Sequence, residues 1–374
     1  MIAAKLAIYY AAAFAVIGSS MPFWPLWLQS RNLGPEEIGL VMAFSVIFKT
    51  ATNPLVAAVA DRYGERKRLM ILLTLLATSI FSLYFWSHDF WTIAIITIVF
   101  HGFWSPNMPL MESLTIQTAK LKALNYGRVR LWGSCTFIIG AWGMGRLLGD
   151  SPIDIVYWVA LCLLALTVLS TLILPDTRVA KLESSNSPIR VVLANRSFII
   201  FIIATALIQA SHAVYYSFST IHWKSVGHSE AVIGWLWAEG VIAEIFLFIW
   251  GDKIIKHYGA ARLITMAGFA GLIRWLLIGS THMLPMLLIL QLLHAFTFGA
   301  AHLGAMYFIA QRVAPSVSAT AQTVYTVVVG FTMGLSAWVS GILYGNLGSR
   351  AYYLMAAMAG SGGAIAYGLW RDRK

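Results

Sequence analysis

Long apolar stretches separated by short polar connections make up almost the whole chain. Twelve such stretches occur, each about 20 residues or longer, and a helix of that length crosses a hydrocarbon core of about 30 Å at a rise of about 1.5 Å per residue. The pattern therefore predicts an all-α membrane protein with twelve transmembrane helices. The predicted spans are residues 5–29, 37–60, 68–87, 91–117, 128–149, 153–174, 196–221, 230–250, 262–280, 284–311, 318–345 and 350–370.

One polar connection is clearly longer than the others and divides the spans six and six. It contains the sequence DTRVAKLESSNSPIR, which is polar and has the composition of a linker. We therefore predict an N-terminal six-helix bundle over residues 1–174, a cytoplasmic linker over residues 175–197 and a C-terminal six-helix bundle over residues 198–374.

Composition and charge narrow the class of protein. Apolar residues make up 59% of the 374 residues and charged residues 11%, a balance that cannot cover a water-soluble surface. The net charge of +11 would suit a nucleic-acid partner, but about 20 Lys and Arg residues fall in the predicted cytoplasmic segments and only 4 in external ones, as the positive-inside rule requires. We therefore predict a multi-pass protein of the cell inner membrane, surrounded by lipid, with both termini cytoplasmic and no nucleic-acid partner.

The sequence carries no signature of a catalytic, metal or cofactor site. Cys135 and Cys162 both fall within apolar spans, and neither they nor the histidines show metal-ligand spacing. A membrane enzyme or receptor would need nucleotide loops, metal motifs or a soluble sensing domain, and none is evident. We therefore predict no catalytic residues, no metal and no cofactor, and we expect a monomer.

Six ionisable side chains fall within or just inside the predicted spans. A charge in hydrocarbon costs roughly 3 kcal/mol on insertion scales, so such a residue usually faces a cavity or a partner. Three of the six are basic and three are acidic, which predicts a paired network inside the bundles. The six are Lys49, Glu112, Arg130, Glu239, Glu244 and Arg274.

Glu112 and Arg130 are the first candidate pair. The polar and basic segment between them, residues 120–128, suits a short hairpin that returns the chain beside the helix it left. Arg presents a planar fork to a carboxylate or to vicinal hydroxyls, so the pair is a candidate substrate site. The alternative is a structural pair that locks the two helices together.

Four further residues are candidate substrate contacts. Lys49 lies near the middle of its span, too far from either end to snorkel easily, and is suited to attract an anion. His101 falls on the same helical stripe as Glu112, and Trp132 is deep enough to stack on a ring. Arg274 is a second possible partner for a carboxylate.

A group at membrane depth can carry a proton only if its protonation state changes, and a buried carboxylate or a histidine can do this. Glu244 is the first candidate and Glu239 the second; the two are about 140° apart on an ideal helix and therefore have different surroundings. His294 and His212 are further candidates. The alternatives are a static partner for Arg274 in the case of the carboxylates and hydrogen-bonded packing in the case of the histidines.

A short motif recurs in the two halves of the chain. The sequence RYGERK at residues 62–67 returns 195 residues later as HYGAAR at residues 257–262, in each case after the second span of its half. Parallel repeats with substrate held between the halves are the architecture of the major facilitator transporters.

The first copy of the motif, with the residues just before it, resembles the loop signature of that superfamily between helices 2 and 3, although Ala57 stands where the superfamily usually has glycine. The resemblance implies a gate at the cytoplasmic end of helix 2 that involves Asp61, Gly64 and Arg62. A positively charged topology anchor is the alternative.

A second resemblance covers nearly the whole chain and is to the phenylpropionate permease family, which is itself similar to lactose permease. The sequence words that carry it are PFWPLWL at 22–28, YGRVRLWGS at 126–134, HAVYY at 212–216, WAEGVIAE at 237–244, RW at 274–275, and His294.

The similarity to lactose permease implies roles for individual residues. Glu112 and Arg130 match the acid and arginine that hold the sugar there, and Arg274 and His294 match an arginine of helix 9 and a histidine of helix 10. Gln291 and Thr297 stand where that permease has a lysine and a glutamate central to proton coupling, so its proton relay does not carry over intact.

These observations predict a secondary transporter that works by alternating access and imports a small organic substrate together with protons. The expected substrate is a phenylpropionate-like aromatic carboxylate, because of the family resemblance and the basic residues at membrane depth. The alternatives are a lactose-permease-like symporter of sugars or nucleosides with protons, and an efflux transporter.

Overall fold

The structure is a computed structural model that describes residues 2–176, 189–314 and 317–371. Within these ranges all regular elements are helices. The predicted linker, residues 175–197, lies largely outside the described residues. The helices before it are α1 (Ile2–Ser20), α2 (Trp24–Ser30), α3 (Pro35–Tyr63), α4 (Arg66–Ser82), α5 (Phe90–Trp104), α6 (Asn107–Lys122), α7 (Tyr126–Gly149) and α8 (Ile155–Leu172).

The helices after residue 188 include a short π-helical segment at Ala295–Ala300, and the first of them lies within the predicted linker. The α-helices are α9 (Ile189–Ala194), α10 (Arg196–Ala210), α11 (Ala213–Ser225), α12 (Glu230–Ile249), α13 (Gly251–Tyr258), α14 (Ala260–Ile278), α15 (Leu284–Leu292), α16 (Ala301–Arg312), α17 (Ser318–Leu347) and α18 (Ala351–Arg371).

Ten segments of the described residues are long and apolar enough to cross a membrane. The last of them, Thr320–Arg371, includes both α17 and α18, whereas α7, which carries Arg128, Arg130 and Arg146, is not among the ten. The ten segments bear out a protein that crosses the membrane many times. The number of twelve spans stays a prediction.

Several predicted spans are two consecutive helices instead of one. The first span is interrupted between α1 and α2, where Pro25 lies in the first turn of the new helix, and the fourth is interrupted before α6 at Pro106. Proline lacks the N–H that a continuous helix needs at that point. The seventh span is interrupted at His212, and the tenth contains the π segment directly after His294. The last two interruptions coincide with histidines, as expected where backbone lines protein rather than lipid.

The described residues form two compact units. The first contains the described residues of Met1–Glu37, Ile47–Ser184 and His228–Ala238, and the second those of Ile38–Val46, Ser185–Gly227 and Glu239–Lys374. Each unit has its own apolar core. The core of the first includes Leu6, Tyr9, Met70, Met111 and Val129, and that of the second includes Phe201, Leu263, Ala301, Phe308 and Tyr325.

Close helix packing in the second unit depends on glycine. The helices α14 and α18 pack against each other extensively, and a Cβ atom on Gly268 would lie 2.5 Å from the Cα atom of Gly363. No carbon atom fits at that distance, so the two backbones approach each other only because both positions lack a side chain.

Replacing Gly268 by alanine is therefore expected to destabilise the protein by about 1–3 kcal/mol through overpacking, measured as a lower thermal unfolding temperature of purified protein in detergent. Gly368 on α18 is the matched control, because a Cβ atom there meets nothing within 4 Å. Alanine at Gly368 should leave stability unchanged or raise it by about 0.5–1 kcal/mol, since alanine is the better helix former. An equal effect at both positions would contradict the close packing.

Candidate functional site

The hairpin between α6 and α7 brings Glu112 and Arg130 together, as the sequence predicts. The two helices are joined by only three residues, in which Ala123 adopts a left-handed conformation (φ 50°) and the side chain of Asn125 accepts a hydrogen bond from the N–H of Arg128. Arg130 Nε lies 2.8 Å from Glu112 Oε1. The short connection is the local cause of the ion pair.

Aromatic side chains fix both members of this pair. The hydroxyl of Tyr126 donates to the other carboxylate oxygen of Glu112. The guanidinium carbon of Arg130 lies 4.3 Å from the ring centre of Phe14 and 5.3 Å from that of Tyr10, both on α1. The side chains of Arg130 and Glu112 stay 30% and 27% exposed, so the pair is accessible as well as ordered.

Glu112 occupies only the Nε side of the Arg130 guanidinium. Among residues 2–176, 189–314 and 317–371, no carboxylate forms an ion pair with its Nη1 or Nη2 atom. An arginine can bind one carboxylate at its Nε edge and a second at its terminal edge. The pair therefore has the geometry to take up a further anion.

The other predicted substrate contacts of the first unit are not joined to this pair by hydrogen bonds. Lys49 lies on α3 and His101 on α5, and these two helices approach each other at Thr52 and Gly102, where a Cβ atom on the glycine would lie 3.8 Å from Thr52 Cγ2. Lys49 is exposed and His101 half-buried. Trp132 is 58% exposed and about 200° from Arg130 on α7, so it lies on nearly the opposite face of the helix.

Arg274 has a different environment in the second unit. Its side chain is fully buried, and within the described part of the chain it forms no ion pair with a carboxylate. Its partners are neutral: Nη1 lies 2.9 Å from Thr297 Oγ1 and 3.0 Å from His294 Nδ1, and Nη2 lies 2.9 Å from Gln291 Oε1. The predicted paired network is therefore wrong at this position.

Two aromatic rings enclose Arg274. Its guanidinium carbon lies 4.8 Å from the ring centre of Tyr215 and 4.7 Å from that of Trp275. The hydroxyl of Tyr215 donates to Gln291 at 3.0 Å, and the indole N–H of Trp275 donates to Ser211 at 3.0 Å. These contacts substitute cation–π attraction and hydrogen bonds for the missing counter-charge.

Both candidate proton carriers on α12 lie close to this cluster. Oxygen atoms of Glu239 and Glu244 are buried without a hydrogen-bond partner among the described residues. A Cβ atom on Gly240 would lie 3.4 Å from His294, and one on Gly299, in the π segment, would lie 3.4 Å from Glu244 Cγ. The helix α12 therefore packs directly against His294 and the π segment, which supply hydrogen-bond partners of Arg274. π segments of this kind are frequent at functional sites.

The two candidate histidines both belong to the Arg274 cluster. His294 is a direct partner of Arg274, and His212 Nε2 lies 3.2 Å from Thr297 Oγ1. Both histidines are nearly or fully buried. The structure thus brings together three residues that the sequence proposed separately.

The candidate gate residues end α3 and begin the connection to α4. Gly64 has φ 70° and its N–H closes the helix on the carbonyl of Ala60 at 2.8 Å, a left-handed cap that favours glycine. Asp61 forms an ion pair of 2.7 Å with the buried Arg66. Arg62 is exposed and lies over the ring of Tyr63 at 6.0 Å, so Asp61 takes Arg66 as its partner and not Arg62.

The second copy of the motif shares only part of this backbone geometry. Gly259 follows α13 with φ 73°, close to the 70° of Gly64, but its ψ is 159° whereas that of Gly64 is 6°, so Gly259 does not form the same left-handed cap. The copy contains no acid at the position of Asp61, where Lys256 stands. The two copies therefore share a glycine of positive φ after a helix, and among the described residues the ion pair belongs to the first copy.

Some residues of the site carried no clear signal in the sequence. Tyr126 lies in a sequence word that marks the family, but its bond to Glu112 depends on the hairpin. In the sequence, Gln291 and Thr297 are distinctive only as residues that cannot carry a proton, yet in the structure both accept hydrogen bonds from Arg274. Arg66 is one of several basic residues near Asp61, and membrane topology alone would explain its presence.

Comparisons with known proteins identify relatives over almost the whole chain. The model of the MFS_1-like family matches residues 3–355. The probable 3-phenylpropionic acid transporter of Escherichia coli (strain K12) is 33% identical over 366 residues, which are 95% of this chain and 94% of that protein. The maltose permease of Geobacillus stearothermophilus is 25% identical over 346 residues, 92% of this chain and 87% of that protein.

Solved structures show the same fold. A crystal structure of a mutant of the nucleoside transporter NupG superposes with a TM-score of 0.89 at 17% identity, with 100% of both chains covered. The predicted all-helical major facilitator fold is therefore confirmed. Because the relatives are named transporters and permeases, the protein is a multi-pass membrane transporter and not an enzyme.

Proposed function

The chain belongs to the MFS_1-like family, and on that premise we propose that it imports a small aromatic carboxylate together with protons across the bacterial inner membrane. Its similarity to a probable 3-phenylpropionic acid transporter supports this substrate class. The cytoplasmic position of both termini, which the distribution of basic residues predicts, belongs to the same proposal.

The observation that carries the proposal is the arrangement of Arg130. Its guanidinium is held by Glu112 at Nε and by Phe14 on one face, while the Nη atoms bind no carboxylate among the described residues and the side chain is 30% exposed. A substrate carboxylate would bind the terminal edge through two hydrogen bonds. Phe14, which is only partly buried, lies where an aromatic ring of the substrate would gain contact.

Arg274 is the weaker candidate for direct substrate contact. Both of its Nη atoms donate to protein acceptors, and no part of the side chain is exposed. A carboxylate would have to displace three established hydrogen bonds to reach it. We therefore assign substrate binding to Arg130 and Glu112, with Lys49 and His101 as candidates for a secondary role in attracting the anion.

Proton coupling is proposed to use Glu244, with Glu239 as the second candidate. Both carboxylates have oxygen atoms without a hydrogen-bond partner within the described residues. Glu244 is the stronger candidate because it packs against the π segment that carries Thr297, a direct partner of Arg274. A change in its charge would therefore act on the cluster at short range.

A second candidate function is the uptake of sugars or nucleosides with protons. It is favoured by the relatives named maltose permease and lactose permease and by the fold shared with a nucleoside transporter. Glu112 and Arg130 together also suit a pair of hydroxyl groups. Export is the remaining alternative, since one relative is named a sugar efflux transporter.

A ligand-stabilisation screen of the purified protein tests these alternatives. A ligand at about 100 times its Kd stabilises the folded state by about 2.7 kcal/mol, so 3-phenylpropionate should raise the unfolding temperature. Its neutral amide is the matched control and should raise it far less. An increase in unfolding temperature only with disaccharides, or only with nucleosides, would contradict the carboxylate proposal. A comparison of uptake by right-side-out and by inverted membrane vesicles distinguishes import from export.

The proposed gate makes a separate prediction. Changing Asp61 to asparagine leaves the buried Arg66 without its counter-charge, so the cytoplasmic gate should close less readily. We therefore expect the transport rate to fall about tenfold or more. Substrate affinity should change by less than about twofold. Glu65→Gln in the same loop is the matched control. Transport by the Asp61 variant at the parent rate would show that the loop is mainly a topology anchor.

A further inference from the structure

The hydrogen bonds around Arg274 leave His294 only one protonation state. A guanidinium can donate hydrogen bonds but cannot accept them. The Nδ1 atom of His294, 3.0 Å from Arg274 Nη1, must therefore accept and carries no proton. The single proton of the neutral ring is on Nε2.

The same reasoning applies to His212, because Thr297 lies within hydrogen-bond distance of both Arg274 and His212. Thr297 Oγ1 accepts from Arg274 at 2.9 Å, and its own hydrogen is available for donation to His212 Nε2 at 3.2 Å. His212 Nδ1 faces the backbone carbonyl oxygens of Ile208 at 3.2 Å and Gln209 at 3.1 Å, and therefore carries the proton. The neutral ring of His212 is therefore the tautomer opposite to that of His294, with its proton on Nδ1 and Nε2 as an acceptor for Thr297.

We infer that His212 and His294 are neutral positioning residues that hold Arg274, and not proton carriers. A second proton on either ring would remove an acceptor from the chain of hydrogen bonds. It would also place a positive charge beside a fully buried guanidinium, where repulsion is strong because water does not screen it. The inference rests on the proposed function and deepens it, because it leaves proton carriage to the carboxylates of α12.

Titratable groups from the neighbouring helices surround the cluster. Tyr215 and Tyr216 come from α11, Glu239 and Glu244 from α12, and Tyr352 from α18. A proton that enters this region neutralises a carboxylate but would charge an imidazole next to Arg274. The carboxylates are therefore the favoured acceptors, and the histidines keep their geometric role.

Reciprocal amide substitutions test the inference. The amide oxygen of asparagine can occupy the place of a histidine Nδ1 atom, and that of glutamine the place of Nε2. His294→Asn and His212→Gln therefore keep the required acceptor, whereas His294→Gln and His212→Asn misplace it. None of the four variants has a side chain that titrates.

The two matched variants are expected to retain proton-driven uptake within about threefold of the parent protein, while each mismatched variant loses about tenfold or more, the equivalent of one hydrogen bond of about 1.4 kcal/mol. Loss of uphill accumulation in both matched variants, with substrate exchange preserved, would show that the histidines carry protons and would overturn the inference. Equal activity of matched and mismatched variants would overturn it as well.

A readout independent of transport separates this inference from the proposed function. The protein is labelled with ¹⁵N-histidine, and the ¹⁵N chemical shifts of its nine histidines are followed by NMR from about pH 8 to about pH 5. The signals of His212 and His294 are identified by their absence in the corresponding variants. Both should keep the shifts of a neutral ring over this range. Titration of either ring in this range would overturn the inference even if an aromatic acid proves to be the substrate. Two non-titrating rings would support it even if the substrate is a sugar.

Discussion

Replacing Arg130 by lysine is expected to weaken binding of an aromatic carboxylate by about tenfold to hundredfold, since a charge-assisted hydrogen bond contributes about 1.5–3 kcal/mol. An ammonium group is a compact point charge and cannot hold Glu112 at one edge and a substrate carboxylate at the other. It also loses the flat stacking on Phe14, which lies 4.3 Å from the guanidinium carbon. Isothermal titration with the purified variant measures the effect.

The same experiment separates substrate binding from helix locking. Arg128→Lys is the matched control, because Arg128 is exposed on the same helix, and its binding should equal that of the parent. Glu112→Gln should also weaken binding if the two residues act as one site. Normal affinity together with a lower unfolding temperature in Arg130→Lys would show that the pair only holds α6 and α7 together.

Changing Glu244 to glutamine is expected to abolish substrate accumulation driven by a pH gradient while exchange of internal for external substrate continues. Exchange needs no net proton movement, so a variant that cannot release a proton still permits it. The glutamine side chain keeps nearly the same size against Gly299, whose missing side chain leaves space for Glu244. Accumulation and exchange of labelled substrate in proteoliposomes measure the two activities.

Two comparisons make this result specific to Glu244. Glu230→Gln, at the start of the same helix α12, is the matched control and should accumulate substrate normally. Glu239→Gln tests the second candidate, and loss of accumulation there but not in Glu244→Gln would exchange their roles. Uphill uptake by the parent protein that persists in the presence of an uncoupler would contradict proton coupling altogether.

The pairing of Glu112 with Arg130 was predictable because it is local. Eighteen positions separate the two residues, and the polar turn between two apolar stretches leaves the chain few ways to continue except back beside itself. The left-handed conformation of Gly64 was predictable for a similar reason, since a glycine that directly follows a helix is the usual cap. Neither feature depends on distant parts of the chain.

The environment of Arg274 was not predictable in the same way. Its hydrogen-bond partners follow it by between 17 and 23 residues, and Tyr215 precedes it on a different helix. Hydrophobic periodicity shows which residues face inward but not which of them meet. The equal number of acidic and basic residues at membrane depth predicts an ion pair for Arg274. In the folded protein, helix packing instead surrounds Arg274 with neutral hydrogen-bond acceptors and aromatic rings.

The sequence by itself determined that this protein is a helical membrane protein with an ionisable interior, because the length and polarity of each segment are set by the bilayer and need no knowledge of the neighbouring helices. Tertiary structure alone decided what each interior charge does. It leaves the terminal edge of Arg130 without a carboxylate partner in the described residues and seals Arg274 among neutral partners. The physical reason is that the cost of a buried charge depends on the atoms within a few ångströms of it, and helices distant in sequence supply those atoms.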